Sequence, residues 1–307
     1  MAALKGRNLL SLADLSADEV IHLLAIAGRI KSGEINPQCP QKILGLVFKK
    51  ASTRTRVSFT AAMYKLGGQV IDLNSNLTQI GRGEPTADTA RVLDRYLDVL
   101  AIRTYAQSEV EEFAQHGNIP VINALTDLEH PCQILADLLT VQEEFGKCER
   151  LTMTYLGDGN NVAHSLILGC ALVGMNVRIA TPAGYEPDET ILKKAKAISQ
   201  GQSEIIVTDD AKAAVEGAHT LYTDVWASMG QEESAAKRIP IFEPYQINRQ
   251  LLAIADPQAI VLHCLPAHRG EEITAEVMEG KQSRIWDEAE NRMHAQQALL
   301  AEILGAV

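Results

Sequence analysis

The 307-residue sequence lacks an excess of positive charge, with 28 Lys and Arg against 39 Asp and Glu and a formal net charge of −11. This deficit argues against broad binding to nucleic acids or anionic membranes, because both need a positive field. Long hydrophobic runs are also missing: the longest, Leu166 to Met175, is too short to span a bilayer and carries two glycines. Residues 1–16 contain no apolar segment typical of a secretory signal. We therefore expect a soluble, cytoplasmic protein that binds neither nucleic acid nor membrane.

Cysteine is scarce, and its distribution excludes a disulfide framework. The five cysteines are odd in number and scattered, without a Cys-x-x-Cys pair: Cys39, Cys132, Cys148, Cys170 and Cys264. A reducing compartment is the simplest explanation. His263, Cys264 and His268 lie close in sequence, but a fourth ligand with the spacing of a zinc site is absent. We therefore expect no metal and no other cofactor.

What is present is the composition of an ordinary globular protein, 46% hydrophobic and 22% charged, long enough for two domains. Short apolar runs alternate with helical patterns throughout the chain. We predict strands at 43–48, 69–73, 99–104, 120–124, 151–157, 176–181, 204–208, 219–224 and 260–264. We predict helices from the capping box Ser16–Glu19, over 55–66, 86–98, 108–116, from Pro131, and over 161–174, 188–199, 209–216, 244–253 and 286–304.

Continuously apolar strands that alternate with helices indicate parallel sheets covered on both faces. One (β/α)8 barrel is an alternative. We favour an α/β fold of two open parallel-sheet domains with helices on both faces, joined by interdomain helices. The predicted domains are 1–145 and 146–287, with a C-terminal helix at 288–307 that packs back on the first domain.

The segment Ser52-Thr53-Arg54-Thr55-Arg56 places three hydroxyls and two guanidiniums between a predicted strand and a predicted helix. The first turn of a helix presents backbone N–H groups and the positive end of the helix dipole, which together favour a phosphate. Hydroxyls and a forked guanidinium complete such a site. A solvated basic turn, with Ser52 or Thr53 as the helix cap, is the alternative.

Polar residues follow other predicted strands, and ligands of open α/β sheets bind at these carboxyl ends. Arg103 ends the run 99–102, where it can reach the same anion as the segment 52–56. His130 precedes Pro131 at the start of a helix, and Gln133 lies one turn further. A histidine at this position is also compatible with a simple helix cap.

The second half repeats the pattern with different chemistry. Gly157-Asp158-Gly159-Asn160-Asn161 follows a strand and opens a helix, but the third glycine of a dinucleotide fingerprint is absent. Asparagine amides suit a carboxylate or an amino-acid backbone, and either asparagine can instead cap the helix. Asp224 follows another strand, where its carboxylate can hold an ammonium group, and Cys264 ends a further one. Cys264 is either a buried structural thiol or a contact for an amine.

Taken in order, these segments resemble the aspartate/ornithine transcarbamoylase family over nearly the whole chain, from Ser52 to the motif Glu290-Asn291-Arg292. The Ser-Thr-Arg-Thr-Arg and His-Pro-x-Gln elements are shared by the family. Asp-x-x-x-Ser-Met-Gly and His-Cys-Leu-Pro resemble ornithine recognition, whereas an aspartate site needs arginines for the second carboxylate. The resemblance implies carbamoyl transfer from carbamoyl phosphate to L-ornithine, giving L-citrulline and phosphate in arginine or urea-cycle metabolism.

The resemblance also implies roles for individual residues and names the domains as carbamoyl phosphate-binding (1–145) and ornithine-binding (146–287). The carbamoyl phosphate contacts are Ser52, Thr53, Arg54, Thr55, Gln79, Arg103, His130, Gln133 and Arg292. The ornithine contacts are Asn161, Asp224, Ser228, Met229, Cys264 and Leu265. The catalytic residues are Arg103, His130, Cys264 and Asp224. Gln79 resembles a residue supplied by a neighbouring subunit, which implies a homotrimer with sites at subunit interfaces.

Two positions depart from the family pattern, since Lys49 replaces a common glutamate and Pro85 a common serine.

In the expected mechanism, the neutral δ-amine attacks the carbamoyl carbon and phosphate leaves. Three alternatives stay open at this point. They are a transcarbamoylase for another amine (putrescine, N-acylated ornithine or aspartate), a catalytically silent ligand-binding homologue, and a dinucleotide oxidoreductase.

Overall fold

The computed structural model of the protein describes residues 4–74, 78–227 and 235–307. The chain divides into two compact units. Unit 1 comprises Met1–Leu139 and Glu290–Val307, and unit 2 comprises Thr140–Ala289. Two long helices run across these boundaries in the chain, α5 (Pro131–Phe145) and α12 (Ile285–Leu304).

Unit 1 contains a four-stranded parallel sheet. Its strands are β1 (Ile43–Phe48), β2 (Gln69–Asn74), β3 (Val99–Arg103) and β4 (Val121–Leu125), in the order β2-β1-β3-β4. The helices of this part of the chain are α1 (Ala17–Lys31), α2 (Arg54–Lys65), α3 (Thr86–Leu93) and α4 (Gln107–His116). Since β2 and β3 lie on opposite sides of β1, the strand order reverses between β1 and β3.

Unit 2 contains a five-stranded parallel sheet in the order β7-β6-β5-β8-β9. Its strands are β5 (Thr152–Leu156), β6 (Asn176–Ala180), β7 (Ile205–Thr208), β8 (Thr220–Thr223) and β9 (Ile260–His263). Its helices include α6 (Asn161–Leu172), α7 (Glu189–Ser199), α8 (Ala211–Val215), α9 (Ala235–Phe242), α10 (Arg249–Leu252) and α11 (Ala275–Met278). Here the order reverses between β5 and β8.

Five of the described strands are buried on both faces, which explains their largely apolar sequences. Every residue of β3, β4, β5, β8 and β9 is buried, although successive side chains point to opposite faces of a sheet. The predicted fold class of two parallel α/β sheets is confirmed, and the alternative of a single (β/α)8 barrel is wrong.

The last helix returns to unit 1. From Glu290 onward α12 belongs to that unit, where Asn291 Oδ1 accepts a hydrogen bond from Lys31 Nζ at 2.7 Å. Further along, Glu302 Oε1 lies 2.7 Å from His22 Nε2. Both partners belong to α1, whose predicted capping box between Ser16 and Glu19 is present.

Two predicted helices are wrong in extent. The helix predicted over 86–98 ends at Leu93, because the chain turns over 94–97 to enter β3 and Asp94 binds the backbone N–H groups of Asn118 and Ile119. The helix predicted over 244–253 is a 3-10 turn, Glu243–Tyr245, followed by the short α10, which Asn248 caps. Helices α9 and α11 were not predicted.

Among the described residues, no helix has both the length and the apolar character needed to cross a membrane.

Candidate active site

In unit 1 the reversal of strand order brings two polar segments together. Phe48 at the end of β1 pairs in register with Arg103 at the end of β3. The chain leaves β1 through 49–53 and enters α2 at Arg54, so the segment 52–56 lies beside the end of β3. Such a reversal opens a crevice outside the strand ends, which is where open α/β sheets bind ligands.

Thr55 is the point on which two arginines converge. Its side chain is buried, and its Oγ1 accepts hydrogen bonds from Arg292 Nη2 at 2.7 Å and from Arg103 Nη1 at 3.4 Å. The two lone pairs of the hydroxyl are then used, so its own O–H can donate to a ligand. Arg103 and Arg292 are themselves buried, which makes their positive charges strong local features in a chain of net negative charge.

His130 belongs to the same cluster. Burial lowers the pKa of His130 well below its usual value of 6.5, and the positive charges of Arg292, Arg103 and Arg54 lower it further. The imidazole is therefore neutral at physiological pH and offers one N–H donor and one acceptor nitrogen. A neutral imidazole among three guanidiniums can polarise a carbonyl oxygen without adding another positive charge.

The loop before His130 is fixed by a buried carboxylate. Glu129 accepts hydrogen bonds from the hydroxyl of Ser11 at 2.5 Å and from the backbone N–H of Leu12 at 3.1 Å. Thr126 closes the loop, since its N–H donates to the carbonyl of Glu129 at 2.9 Å. These contacts place His130 at the mouth of α5.

Gln133 lies one turn into α5 and is fully buried. Its Nε2 donates to Asp137 Oδ1 at 2.8 Å, and this bond orients the amide. Next to it, Cys132 is also buried; burial raises the pKa of its thiol to about 12, so it stays protonated and donates to the carbonyl of Asn123. The thiol of Cys132 is therefore structural.

The remaining predicted residues of unit 1 lie at its surface. Ser52 is half-buried and Thr53 is exposed, and the side chain of Thr53 makes no capping hydrogen bond to α2. The alternative in which Thr53 serves as a side-chain cap is therefore wrong. Gln79 is exposed at the start of a 3-10 turn, Gln79–Arg82, and its side chain makes no hydrogen bond within the described residues.

Neighbouring cations are paired with carboxylates instead. Arg56 forms an ion pair with Asp72 of β2 and lies over the ring of Phe48, 5.0 Å from its centroid. Lys49, which departs from the family pattern, pairs with Glu109. Pro85 immediately precedes α3 and takes the N-cap position, with a φ of −57° that a proline ring favours.

In unit 2 the corresponding reversal of strand order brings together the ends of β5 and β8. Leu156 pairs in register with Thr223, and Thr223 pairs with His263 of β9. The segments that follow these three strands are therefore adjacent at one edge of the sheet. They carry the loop 157–161, Asp224 and Cys264.

Asn160 caps helix α6, which the sequence analysis gave as an alternative, and it also binds Asp224. Its Oδ1 accepts the backbone N–H groups of Val162 at 2.9 Å and Ala163 at 3.2 Å. Its Nδ2 donates to Asp224 Oδ2 at 2.9 Å. One side chain therefore starts α6 and fixes one oxygen of the Asp224 carboxylate.

The other oxygen of Asp224 is bound by Cys264. The Cys264 thiol donates to Asp224 Oδ1 at 3.1 Å, and both side chains are buried. The thiol proton points to the carboxylate, so toward an amine the sulfur can act only as an acceptor. Leu265 follows with a φ of +60°, a left-handed conformation that costs a residue with a Cβ about 1–2 kcal/mol. Strained residues of this kind cluster at functional sites.

The last two predicted ornithine contacts, Ser228 and Met229, lie outside the described residues. Asn161 is half-buried at the first position of α6, next to Asn160. Of the predicted residues in unit 2, the structure thus brings Asp224, Cys264 and Asn161 to the same sheet edge.

Sequence reasoning missed Arg238. Its Nη1 donates to Asp158 Oδ2 at 2.7 Å and to the carbonyl of Trp226 at 2.8 Å, and its guanidinium lies over the ring of Tyr185. Burial raises the pKa of Asp158, while Arg238 lowers it. No motif pointed to Arg238, because the helix that carries it was not predicted.

The glycine-rich loop is shaped for packing against another loop. A Cβ on Gly159 would lie 2.4 Å from the backbone nitrogen of Pro187 and 2.5 Å from the carbonyl oxygen of Tyr185. The glycine is thus explained by close approach of the 185–187 backbone. The position of Gly159 therefore needs no dinucleotide to explain it, and the third glycine of a dinucleotide fingerprint is absent.

Comparison with known families gives two matches. The model described as "Aspartate/ornithine carbamoyltransferase, carbamoyl-P binding domain" matches residues 7–143. The model described as "Aspartate/ornithine carbamoyltransferase, Asp/Orn binding domain" matches residues 149–303. Together they span almost the whole chain.

Individual relatives agree with these matches. The ornithine carbamoyltransferase of Nostoc punctiforme is 67% identical over 306 residues, which cover 100% of each chain. The crystal structure of ornithine carbamoyltransferase from Gloeobacter violaceus is 57% identical with a TM-score of 0.90, covering 97% of this chain and 98% of that chain. The ornithine carbamoyltransferase from Pyrococcus furiosus is 46% identical with a TM-score of 0.96 and full coverage of both chains.

Proposed function

We propose that this chain, which belongs to the aspartate/ornithine carbamoyltransferase family, transfers the carbamoyl group of carbamoyl phosphate to the δ-amine of L-ornithine. The products are L-citrulline, an intermediate of arginine metabolism, and inorganic phosphate. No covalent intermediate is required, because carbamoyl phosphate is already activated.

The convergence of Arg103 and Arg292 on the hydroxyl of Thr55 carries this proposal. Two buried guanidiniums converge on one small neutral acceptor, which places their positive charges beside the first turn of α2. Arg54 and the N-terminus of α2 add further affinity for a phosphate. We assign the phosphate to Ser52, Thr53, Arg54, Thr55, Arg103 and Arg292, and the carbamoyl end to Arg103, His130 and Gln133.

The assignment of ornithine rests on the sign of the charge in unit 2. Asp224 is a buried carboxylate at a strand end, and a carboxylate there is complementary to an ammonium group. The α-ammonium of ornithine binds Asp224, and Asn161 binds the α-carboxylate or the amino end. We also assign Ser228 and Met229 to ornithine, solely because they match ornithine-binding positions of the family.

In the proposed mechanism, negative charge develops on the carbamoyl oxygen as the neutral δ-amine attacks. Fixed donors at that oxygen lower the barrier, and removal of one such donor costs about 3 kcal/mol. The N–H of neutral His130, the O–H of Thr55 and the guanidinium of Arg103 fill this role. Arg54 and the helix N-terminus stabilise the departing phosphate, which takes up the proton that the δ-nitrogen loses.

Cys264 acts on the nucleophile and does not form a bond to carbon. Because its proton is donated to Asp224, the sulfur can accept a hydrogen bond from the δ-nitrogen and favour its neutral form. The carbonyl of Leu265 is the neighbouring acceptor. Both groups orient the amine toward the carbamoyl carbon, and such orientation supplies a large share of the acceleration.

We further propose a cytoplasmic homotrimer in which Gln79 serves the neighbouring subunit. Support comes from an exposed apolar surface of unit 1. Val57 and Tyr64 lie seven residues apart on one face of α2, with 61% and 79% of their surfaces exposed, and Ile71 is exposed on the edge strand β2. Light scattering after size-exclusion chromatography tests the assembly, and a particle of 33.4 kDa contradicts it.

Colorimetric detection of citrulline, with each component omitted in turn, tests the proposed function. Citrulline should form only when enzyme, carbamoyl phosphate and L-ornithine are all present. A panel with putrescine, N-acetylornithine and L-aspartate at equal concentration tests the acceptor. If one of these amines reacts faster than L-ornithine, that amine is the acceptor substrate. If no amine is carbamoylated, the chain is instead a silent ligand-binding homologue.

A further inference from the structure

An imidazole and two carboxylates bind the backbone of the segment after β9. The chain leaves the strand at His263 and passes through Cys264, Leu265 and Pro266, with Leu265 in the left-handed region at a φ of +60°. This conformation is unfavourable for a leucine, so neighbouring groups must hold it. In the proposed function, Cys264 and the carbonyl of Leu265 contact the δ-amine, so their positions matter for chemistry.

The side chain of His263 is fixed in one tautomer. Its Nδ1 lies 2.9 Å from the backbone nitrogen of Leu265. Because a backbone N–H can only donate, Nδ1 must be the unprotonated, accepting nitrogen. The ring proton is therefore on Nε2, which donates to Glu272 Oε1 at 2.9 Å. The imidazole is neutral, and both of its nitrogens are in use.

Two carboxylates complete the support. Glu272 Oε1 also accepts the backbone N–H of His268 at 2.6 Å, which ties the far end of the segment to the same oxygen. Glu288 Oε2 accepts the backbone N–H of His263 at 2.7 Å. The side chains of His263 and Glu272 are fully buried, so water does not compete for these hydrogen bonds.

A metal-binding role is a poorer explanation of His263. Asp224, His263 and Cys264 offer donor atoms within 4.8 Å of one another. Ligation by His263 needs a nitrogen lone pair, yet the Nδ1 lone pair binds the Leu265 N–H and Nε2 carries the proton. A metal could use this histidine only after the backbone contact to Leu265 was broken.

We propose that His263 and Glu272 are positioning residues of the amine subsite. Through the Leu265 N–H, the His263 imidazole fixes the directions of the Leu265 carbonyl and the Cys264 thiol, and Glu272 holds the ring in the required tautomer. This inference rests on the proposed function, because it concerns how the δ-amine of ornithine is oriented. Neither residue touches the substrate.

Two substitutions of His263 separate its two nitrogens. In His263→Asn, the amide oxygen takes the place of Nδ1 and can accept the Leu265 N–H. In His263→Gln, the amide reaches the place of Nε2 and can bind Glu272 but leaves the Leu265 N–H without its acceptor. We expect His263→Gln to raise the ornithine KM and lower kcat, for about a tenfold to hundredfold loss in kcat/KM, and His263→Asn to lose about threefold or less. The KM for carbamoyl phosphate should stay within about twofold in both.

Glu272 provides a second pair should the His263 variants fold poorly. Glu272→Gln keeps an oxygen that accepts both N–H groups, whereas Glu272→Leu removes it and frees the ring to turn. We expect the ornithine kcat/KM to be nearly unchanged in the first variant and to fall about tenfold in the second. Thermal unfolding of every variant shows whether a loss comes from general destabilisation.

His219→Gln is the matched control. The Nδ1 of His219 also accepts a backbone N–H, that of Thr152 at 3.1 Å, but it lies at the amino end of β5 and β8. The kinetic constants of His219→Gln should match those of the wild type.

Equal losses in His263→Asn and His263→Gln, or equal effects on both substrates, overturn the inference. Failure of the wild-type chain to form citrulline instead overturns the proposed function, so the two failures are distinguishable.

Discussion

Replacing Thr55 by valine removes one oxygen atom from the centre of the proposed anion site and preserves the shape of the side chain. The lost hydroxyl accepts hydrogen bonds from Arg292 at 2.7 Å and Arg103 at 3.4 Å, and in the proposed mechanism it donates to the carbamoyl oxygen. Thr55 is 1% exposed, so water has little room to take its place. We therefore expect a loss of both stability and turnover.

The two losses differ in size and in their response to phosphate. The short hydrogen bond from the charged Arg292 contributes about 1.5–3 kcal/mol to stability, and the longer one from Arg103 contributes less. Loss of a donor at the carbonyl oxygen costs about 3 kcal/mol of barrier, which is roughly a hundredfold in kcat. Inorganic phosphate should restore part of the stability, because it offers the arginines a new acceptor, but it cannot restore the turnover.

The assay is citrulline formation at saturating ornithine with varied carbamoyl phosphate, together with thermal unfolding with and without phosphate. Thr55→Ser is the matched control, since it keeps the hydroxyl and should retain most of the activity. If Thr55→Val keeps kcat within about fivefold of the wild type, the hydroxyl is not a donor in the transition state. Equal loss in the valine and serine variants indicates a packing defect.

Three further predictions concern other parts of the two units. Asp224→Asn should raise the ornithine KM about tenfold to hundredfold because the negative charge is lost, with little change for carbamoyl phosphate; equal increases for both substrates contradict the role. The pKa of His130 is lower in the folded chain than its usual 6.5, so the unfolded chain binds the proton first and stability falls as pH drops below about 6.5. Urea unfolding should therefore show the wild type losing up to about 1 kcal/mol per pH unit relative to His130→Asn in that range, and parallel curves refute the assignment. Arg238→Met should lower the free energy of unfolding by about 1–3 kcal/mol, because the half-buried Asp158 loses its charged partner. Asp158→Asn in the same chain should recover part of this loss, and no recovery in urea unfolding shows that packing of Arg238 dominates.

The strands of the described residues were predictable because most of them are rich in apolar residues and are bounded by polar ones. The site segments followed from the strands, since polar residues directly after parallel strands meet at one sheet edge. The reversals of strand order between β1 and β3 and between β5 and β8 were not predictable. They depend on which strands pair, and that information is not present in any one segment.

Which residues of the site form hydrogen bonds with each other could not be predicted from the sequence, for the same reason. Asn160 was recognised as a possible cap, but its hydrogen bond to Asp224 joins residues 64 positions apart. The sharing of Thr55 by Arg103 and Arg292 spans 237 positions in the longer case. Only the resemblance to a known family suggested that Arg292 belongs with the segment 52–55, because a lone arginine in a late helix carries no local signal.

The distribution of charge explains how an acidic chain can bind an anion in one unit and a cation in the other. Two cations next to the unit 1 cluster are paired with carboxylates, Lys49 with Glu109 and Arg56 with Asp72. Within the cluster, two arginines donate to the same neutral hydroxyl, so two positive charges lie beside Thr55. In unit 2 the arrangement is inverted, because Asp224 receives hydrogen bonds from an amide and a thiol, which are neutral donors. In each unit, neutral groups therefore help to orient the charged residues that we assign to a substrate group of opposite sign.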